Sequence, residues 1–230
     1  MLLLLLFPII FGLPSIDDTD RWKMAINSGE IEMAYTEQAV KVFEDGSYLA
    51  GKRIHAYYQT NRLHIDSVWS LVEVKAFAPY QYAIGGFTAN GKTFQHIIIT
   101  KGEEQSRELE FISEKGDTEL PKAISDQRDK WMALCNAHDA GQLVRELYVN
   151  PPLYYNHRPM ITAQDELIKT YGYMNRPQYN LQLTPIHVEA VNDHIVFEIG
   201  QCSGSYPGKY LLVWKKETDG QWRILLDSNI

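Results

Sequence analysis

Apolar positions along the chain follow two spacings. Helical spacing places Trp131, Leu134 and Cys135 on one face of residues 125–138, and Leu167, Ile168 and Tyr171 on one face of 162–173. Ser125 is placed to cap the first of these helices, with Asp126 and Asp129 near its positive end. A shorter helix is expected over 142–148, stopped by Pro151-Pro152, which cannot donate backbone bonds. Dense apolar runs then predict strands at 180–191, 194–199, 209–214 and 222–226, after a short strand at 153–156. Asn192-Asp193 and Asp219-Gly220 have the chemistry of tight hairpin turns. Helices followed by an antiparallel meander give an α+β domain, its helices covering one face of a sheet.

The same plan occurs earlier in the chain. Asp20-Arg21-Trp22-Lys23-Met24-Ala25 is echoed by Asp129-Lys130-Trp131-Met132-Ala133-Leu134, and Ala83-Ile84-Gly85 by Glu198-Ile199-Gly200. Gly91-Lys92 and Gly208-Lys209 each lead into an apolar strand, 94–100 and 210–214, and a closing strand follows at 107–112 and 222–226. Collinear echoes at a near-constant offset predict two tandem copies, 17–118 and 125–230, joined by a linker around Pro121.

Residues 1–16 stand apart. They carry no charged side chain, and the apolar core from Leu2 to Phe11 is shorter than the roughly 20 residues that span a bilayer. This predicts a signal peptide, hence an extracytoplasmic protein with no membrane segment in its mature form.

Composition changes the picture only modestly. The 230 residues carry a formal charge of −7, and 12% are aromatic. Residues 17–120 hold 17 acidic against 11 basic side chains, whereas residues 121–230 hold 12 against 11, so the acidity belongs to the first copy. An acidic chain does not favour nucleic acid or anionic lipid as its main partner. Two cysteines, Cys135 and Cys202, are too few for a disulfide scaffold, so a core must hold the fold. No cofactor motif and no metal-ligand spacing is present; His187 and His194 lack an evident third ligand.

Three stretches carry a resemblance to a known family. They are Trp131-Met132-Ala133-Leu134-Cys135-Asn136-Ala137-His138-Asp139, followed by Leu147-Tyr148; Gly208-Lys209-Tyr210-Leu211-Leu212-Val213-Trp214-Lys215-Lys216; and Asp219-Gly220-Gln221-Trp222-Arg223-Ile224 with Asp227-Ser228-Asn229. In the order helix, helix, short strand, helix, meander, copy two resembles the NTF2-like superfamily, with its SnoaL-like, DUF4440-type and ketosteroid-isomerase-like members. The resemblance implies a cone-shaped α+β domain with a pocket between helices and sheet, used for small apolar or aromatic ligands. It also implies an open sheet face that serves as a dimer surface, so the two copies could form an intramolecular pseudo-dimer in a monomeric protein. Isomerase chemistry does not carry over. The helix-one tyrosine position matches Trp131 and Trp22, the base position matches Asn156 in copy two and Asp45 in copy one, and the later acid falls among Leu211, Leu212 and Val213.

The leading expectation is therefore a ligand-binding domain, with pocket candidates Trp131, Tyr154, Asn156, Tyr171, Trp214 and Trp222. A SnoaL-like isomerase, cyclase or hydratase is the alternative, with Glu198, His157, Asp227 or Asp45 moving the proton. A third reading is an interaction domain whose cavity is filled by its own side chains. Glu198 is the sharpest of the acids. Alternation puts it opposite Ile195, Phe197 and Ile199, so it faces either away from the helices or into the cavity as a buried base, depending on which face they cover.

Overall fold

The computed structural model describes residues 18–156 and 159–229; the expected leader at 1–16 and the candidate His157 lie outside them. The first half contains α1 (Asp18–Ser28), β1 (Tyr35–Val42), β2 (Tyr48–Ala50), α2 (Lys52–Thr60), β3 (Ile65–Lys75), β4 (Tyr80–Ala89), β5 (Lys92–Lys101) and β6 (Ser106–Glu114). The second half contains α3 (Ala123–Asn136), α4 (Ala140–Leu147), β7 (Tyr148–Tyr154), α5 (Gln164–Thr170), β8 (Leu181–Asn192), β9 (Ile195–Gly204), β10 (Gly208–Lys216) and β11 (Trp222–Ser228). The fold is α+β, with one sheet in each half.

Helix α3 begins before Ser125, whose hydroxyl bonds Lys122 O instead of capping. The cap that does form is Asp139, which accepts from the Gln142 backbone N–H at the start of α4. Pro151-Pro152 lies inside β7, an edge strand, where missing backbone donors are tolerated.

The two sheets repeat one topology. The strand orders are β2-β1-β6-β5-β4-β3 and β7-β11-β10-β9-β8. Apart from the extra β2, they correspond strand for strand. In both, the first strand runs parallel to the last and every other pairing is antiparallel. The register irregularity also repeats. Tyr35 pairs Arg107 and Val40 pairs Leu109, while Tyr148 pairs Ile224 and Leu153 pairs Leu226. Five residues on one strand thus span two on the other in each sheet. This register makes Tyr35 equivalent to Tyr148, Lys41 to Tyr154 and Glu110 to Asp227.

Gly85 and Gly200 are equivalent too. Each lies under the ring of its cross-strand partner, His96 or Tyr210. A Cβ on Gly200 would stand 2.2 Å from Tyr210 Cζ, and one on Gly85 would stand 2.8 Å from His96 Nε2. Only glycine admits such an approach.

The central strands of both sheets are covered on both faces, while β3 and part of β8 are exposed. On one face Val40, Val42, Ile84, Ile97, Ile99 and Phe111 of the first sheet share a core with Phe197, Ile199, Leu211, Val213 and Leu225 of the second. Phe111 and Phe197 meet edge to face at 5.7 Å. The margin is polar: Tyr155 donates to Glu108 at 2.8 Å, Asn192 to Ser113 at 2.8 Å and Gln95 to Glu189 at 2.6 Å. On the outer faces, helices α1 and α2 pack in one cluster and α3, α4 and α5 in another. The molecule is therefore helix–sheet–sheet–helix, with each half's helices on the side away from the other half.

Candidate functional site

Beneath the second half's helices lies a half-open cavity of about 380 Å³. Its wall is aromatic. Tyr173 packs edge to face against Tyr179 at 5.6 Å and Tyr206 at 5.4 Å, and Trp131 stands 6.1 Å from Tyr210. Leu181, Leu183, Met174 and Cys202 complete the apolar lining, and Asn156, Asn229, Thr170 and Lys209 add polar atoms. Trp131 is 3% exposed, and its Nε1 has no hydrogen-bond acceptor among the described residues.

Of the six pocket candidates, Trp131, Tyr154 and Asn156 line this cavity. Asn156 donates to the Tyr154 hydroxyl at 3.2 Å, which in turn donates to Asn229 Oδ1 at 2.6 Å, forming a polar strip along one side. Tyr171 is fully buried behind Tyr154, with ring centres 5.5 Å apart. Trp214 and Trp222 are buried in the helix-side core and do not reach the cavity.

The three acid–base candidates among the described residues, Asp45, Glu198 and Asp227, are scattered. Asp45 sits in an exposed turn, and its carboxylate accepts from the Ser47 hydroxyl and backbone N–H, which lower its pKa. It faces no cavity and behaves as a turn residue. Glu198 faces the helices and is fully buried, while Ile195, Phe197 and Ile199 face the other sheet. It is not a poised base, because four donors occupy its oxygens. Arg128 Nε and the Tyr210 hydroxyl bond Oε1 at 2.6 and 2.7 Å; Arg128 Nη2 and Trp214 Nε1 bond Oε2, both at 2.9 Å. A carboxylate so held fixes helix α3 to the sheet.

Asp227 is the chemically unusual group. It is fully buried, and Oδ2 accepts the hydroxyls of Tyr148, at 2.6 Å, and Tyr171. Oδ1 has no partner among the described residues. Burial pushes its pKa up to about 6, against the opposing pull of the two hydroxyls. It lies behind the cavity wall and does not line it.

The equivalent group in the first half has the opposite character. Glu110 is also fully buried, and it accepts from Tyr35 at 2.7 Å and Tyr58 at 2.6 Å, as Asp227 accepts from Tyr148 and Tyr171. Two cations are added: Lys41 Nζ at 2.9 Å and Arg107 Nη1 at 3.1 Å. Burial alone would push the Glu110 carboxyl up; Lys41 and Arg107, with the two hydroxyls, reverse this and hold it at about 2. The second half has Tyr154 and Ile224 at those cation positions. One buried carboxylate–dityrosine unit thus occurs twice, beside two cations in one copy and, in the other, with its pKa raised by burial. The sequence signal for the pair was the shared closing strand; finding it required the parallel register, which no spacing rule reveals.

No protein-family model matches the sequence, and no curated protein matches it. Among solved structures, about half of this chain is similar to an NTF-2 like protein of unknown function from Shewanella oneidensis. The two are 15% identical over 46% of this chain and 95% of that one, with a TM-score of 0.41. A ketosteroid isomerase-like protein from Erwinia carotovora atroseptica is 17% identical over 47% of this chain and 94% of that one, with a TM-score of 0.38. An NTF2-like superfamily protein from Salmonella enterica is 15% identical over 46% of this chain and 87% of that one, with a TM-score of 0.39.

Proposed function

We propose that this is an extracytoplasmic small-molecule-binding protein built from two NTF2-like domains, and that the cavity of the second domain holds a small apolar or aromatic ligand. The observation that carries this reading is the cavity itself: about 380 Å³, aromatic-walled, with a short polar strip and a buried indole N–H lacking an acceptor. A mostly apolar concave site with a few fixed polar groups is what a small ligand requires. The polar strip of Asn156, Tyr154 and Asn229 would orient a carbonyl or hydroxyl, and Trp131 Nε1 would donate to an acceptor at the cavity floor.

Binding is favoured over catalysis because no carboxylate lines the cavity among the described residues. Glu198 is saturated by its donors, and Asp227 is separated from the cavity by the Tyr154 and Tyr171 rings.

Native mass spectrometry of the purified full chain tests the reading by detecting a retained small molecule. Cys202→Phe narrows the cavity, using the residue type that Phe87 supplies at the equivalent position. The expected result is a bound mass that disappears in this variant. Ligand-free protein that also leaves Trp131 fluorescence unchanged across a panel of aromatic and steroid-sized compounds would refute it.

A further inference from the structure

The first half has its own cavity at the matching place. It has a volume of about 610 Å³ and is half open. Strand register and the shared tyrosine pair equate its lining with that of the second cavity: Lys41 with Tyr154, Phe43 with Asn156, Phe87 with Cys202, Phe94 with Gly208 and Ile112 with Asn229. The decisive exchange is Lys41, a buried ammonium where the second half has a phenol.

Lys41 is 3% exposed and forms part of the cavity wall. Its Nζ donates to Glu110 at 2.9 Å and to the Tyr58 hydroxyl at 3.1 Å. An ammonium has three protons, and the third has no acceptor among the described residues. The rings of Phe43, Tyr57 and Tyr58, all in the wall, stand 5.0–5.4 Å from Nζ. These ring faces are therefore already occupied by the chain's own cation, so a cationic ligand would be repelled. A ligand with no acceptor would leave a desolvated N–H without a partner, and a neutral acceptor would make a weaker bond than a carboxylate. The other charged groups at the cavity are engaged or peripheral. Glu44 accepts from Ser113 and contacts His194, Glu114 pairs with Lys92, Arg62 is exposed at the rim, and Glu110 lies behind Lys41.

We propose that the first half's cavity is a second ligand site, for a flat apolar molecule bearing one carboxylate, with the carboxylate seated on Lys41 Nζ. Phe43, Tyr57, Phe87 and Phe94 would take the apolar body. This site does not depend on the second cavity's being occupied.

Calorimetric titration of the full chain with 1-naphthoate, and with 1-naphthamide as the neutral isostere, tests the proposal. A charge-assisted bond contributes roughly 1.5–3 kcal/mol, so the carboxylate should bind about 10-fold or more tighter than the amide. Lys41→Met should abolish that discrimination. Since this substitution also unbalances Glu110, Ile112→Trp provides the second arm: it fills the cavity with Lys41 intact and should eliminate naphthoate binding. All titrations use the Cys202→Phe background, which narrows the second cavity, so that the heat measured belongs to the first. In that background the proposal is overturned by equal affinity for acid and amide, by binding that survives Ile112→Trp, or by no binding at about 1 mM naphthoate.

Discussion

Asp227→Asn isolates the contribution of the buried carboxylate. Asp227 ionises at about 6 in the folded chain and at about 3.9 when unfolded. Between these values the unfolded state loses its proton first, so the folded state becomes progressively disfavoured as pH rises. The stabilisation is complete below the unfolded value and gone once pH exceeds the folded one. A difference of about 2 pH units corresponds to about 3 kcal/mol. Asparagine cannot ionise, and its carbonyl oxygen can still accept the Tyr148 and Tyr171 hydroxyls. The wild-type advantage over the variant should therefore shrink by about 2 kcal/mol between pH 4 and pH 6.5. In urea titrations followed by far-ultraviolet circular dichroism, this is a relative midpoint shift of about 1 M. A gap that stays constant over this range, or widens in favour of wild type, would refute the argument by placing the folded pKa at or below the unfolded one.

Glu110 should behave in the opposite sense: its folded pKa of about 2 contributes stability above about pH 4 that is lost as pH falls toward 2. Glu110→Gln should cost about 3–5 kcal/mol at neutral pH, because Lys41 and Arg107 lose the charge they pair with; urea unfolding reads it directly. Glu198→Gln should destabilise by a similar amount, about 3–5 kcal/mol, through the stranded Arg128. The double variant Arg128→Met/Glu198→Leu should recover most of the loss. Gly200→Ala should destabilise the fold by about 1–3 kcal/mol, read as a lower urea midpoint, since its Cβ would displace the Tyr210 ring. Both cysteines are free and their pKa values are pushed up to about 12 by burial, so iodoacetamide should modify Cys135 only after unfolding.

Much of the architecture is legible in the sequence, and particular residues show where legibility ends. The Ile84-Gly85 and Ile199-Gly200 echo sits at equivalent places in the fold, whereas the two Gly-Lys pairs do not, because the register sets Gly208 level with Phe94 and not with Gly91. Alternation in β9 separates Glu198 from Phe197 but cannot orient the strand, because protein covers both of its faces. The usual rule that the apolar side is the buried side then loses its force. The wall of the second cavity was partly readable from Trp131, Tyr154 and Asn156. Tyr179 and Tyr206 come from loops whose path depends on tertiary packing, and the Arg128–Glu198 pair joins residues 70 positions apart. The Glu110–Asp227 equivalence was hidden for a different reason. It rests on a parallel pairing between the first and last strands of each half, with an irregular register, and that pairing leaves no trace in local patterning.

The shared core between the sheets has a consequence for how such a molecule can change over time. In an assembly of two identical chains, every substitution appears twice, so a cation placed against one buried carboxylate is placed against both. Here the two halves lie on one chain, and each position can vary alone. Lys41 and Arg107 could be acquired, or Tyr154 and Ile224 retained, without altering the opposite half. The inter-sheet core meanwhile ties the two together, so that neither half can drift away from the other as a separate body. Joining the halves thus frees the cavities from identity while keeping the scaffold in common.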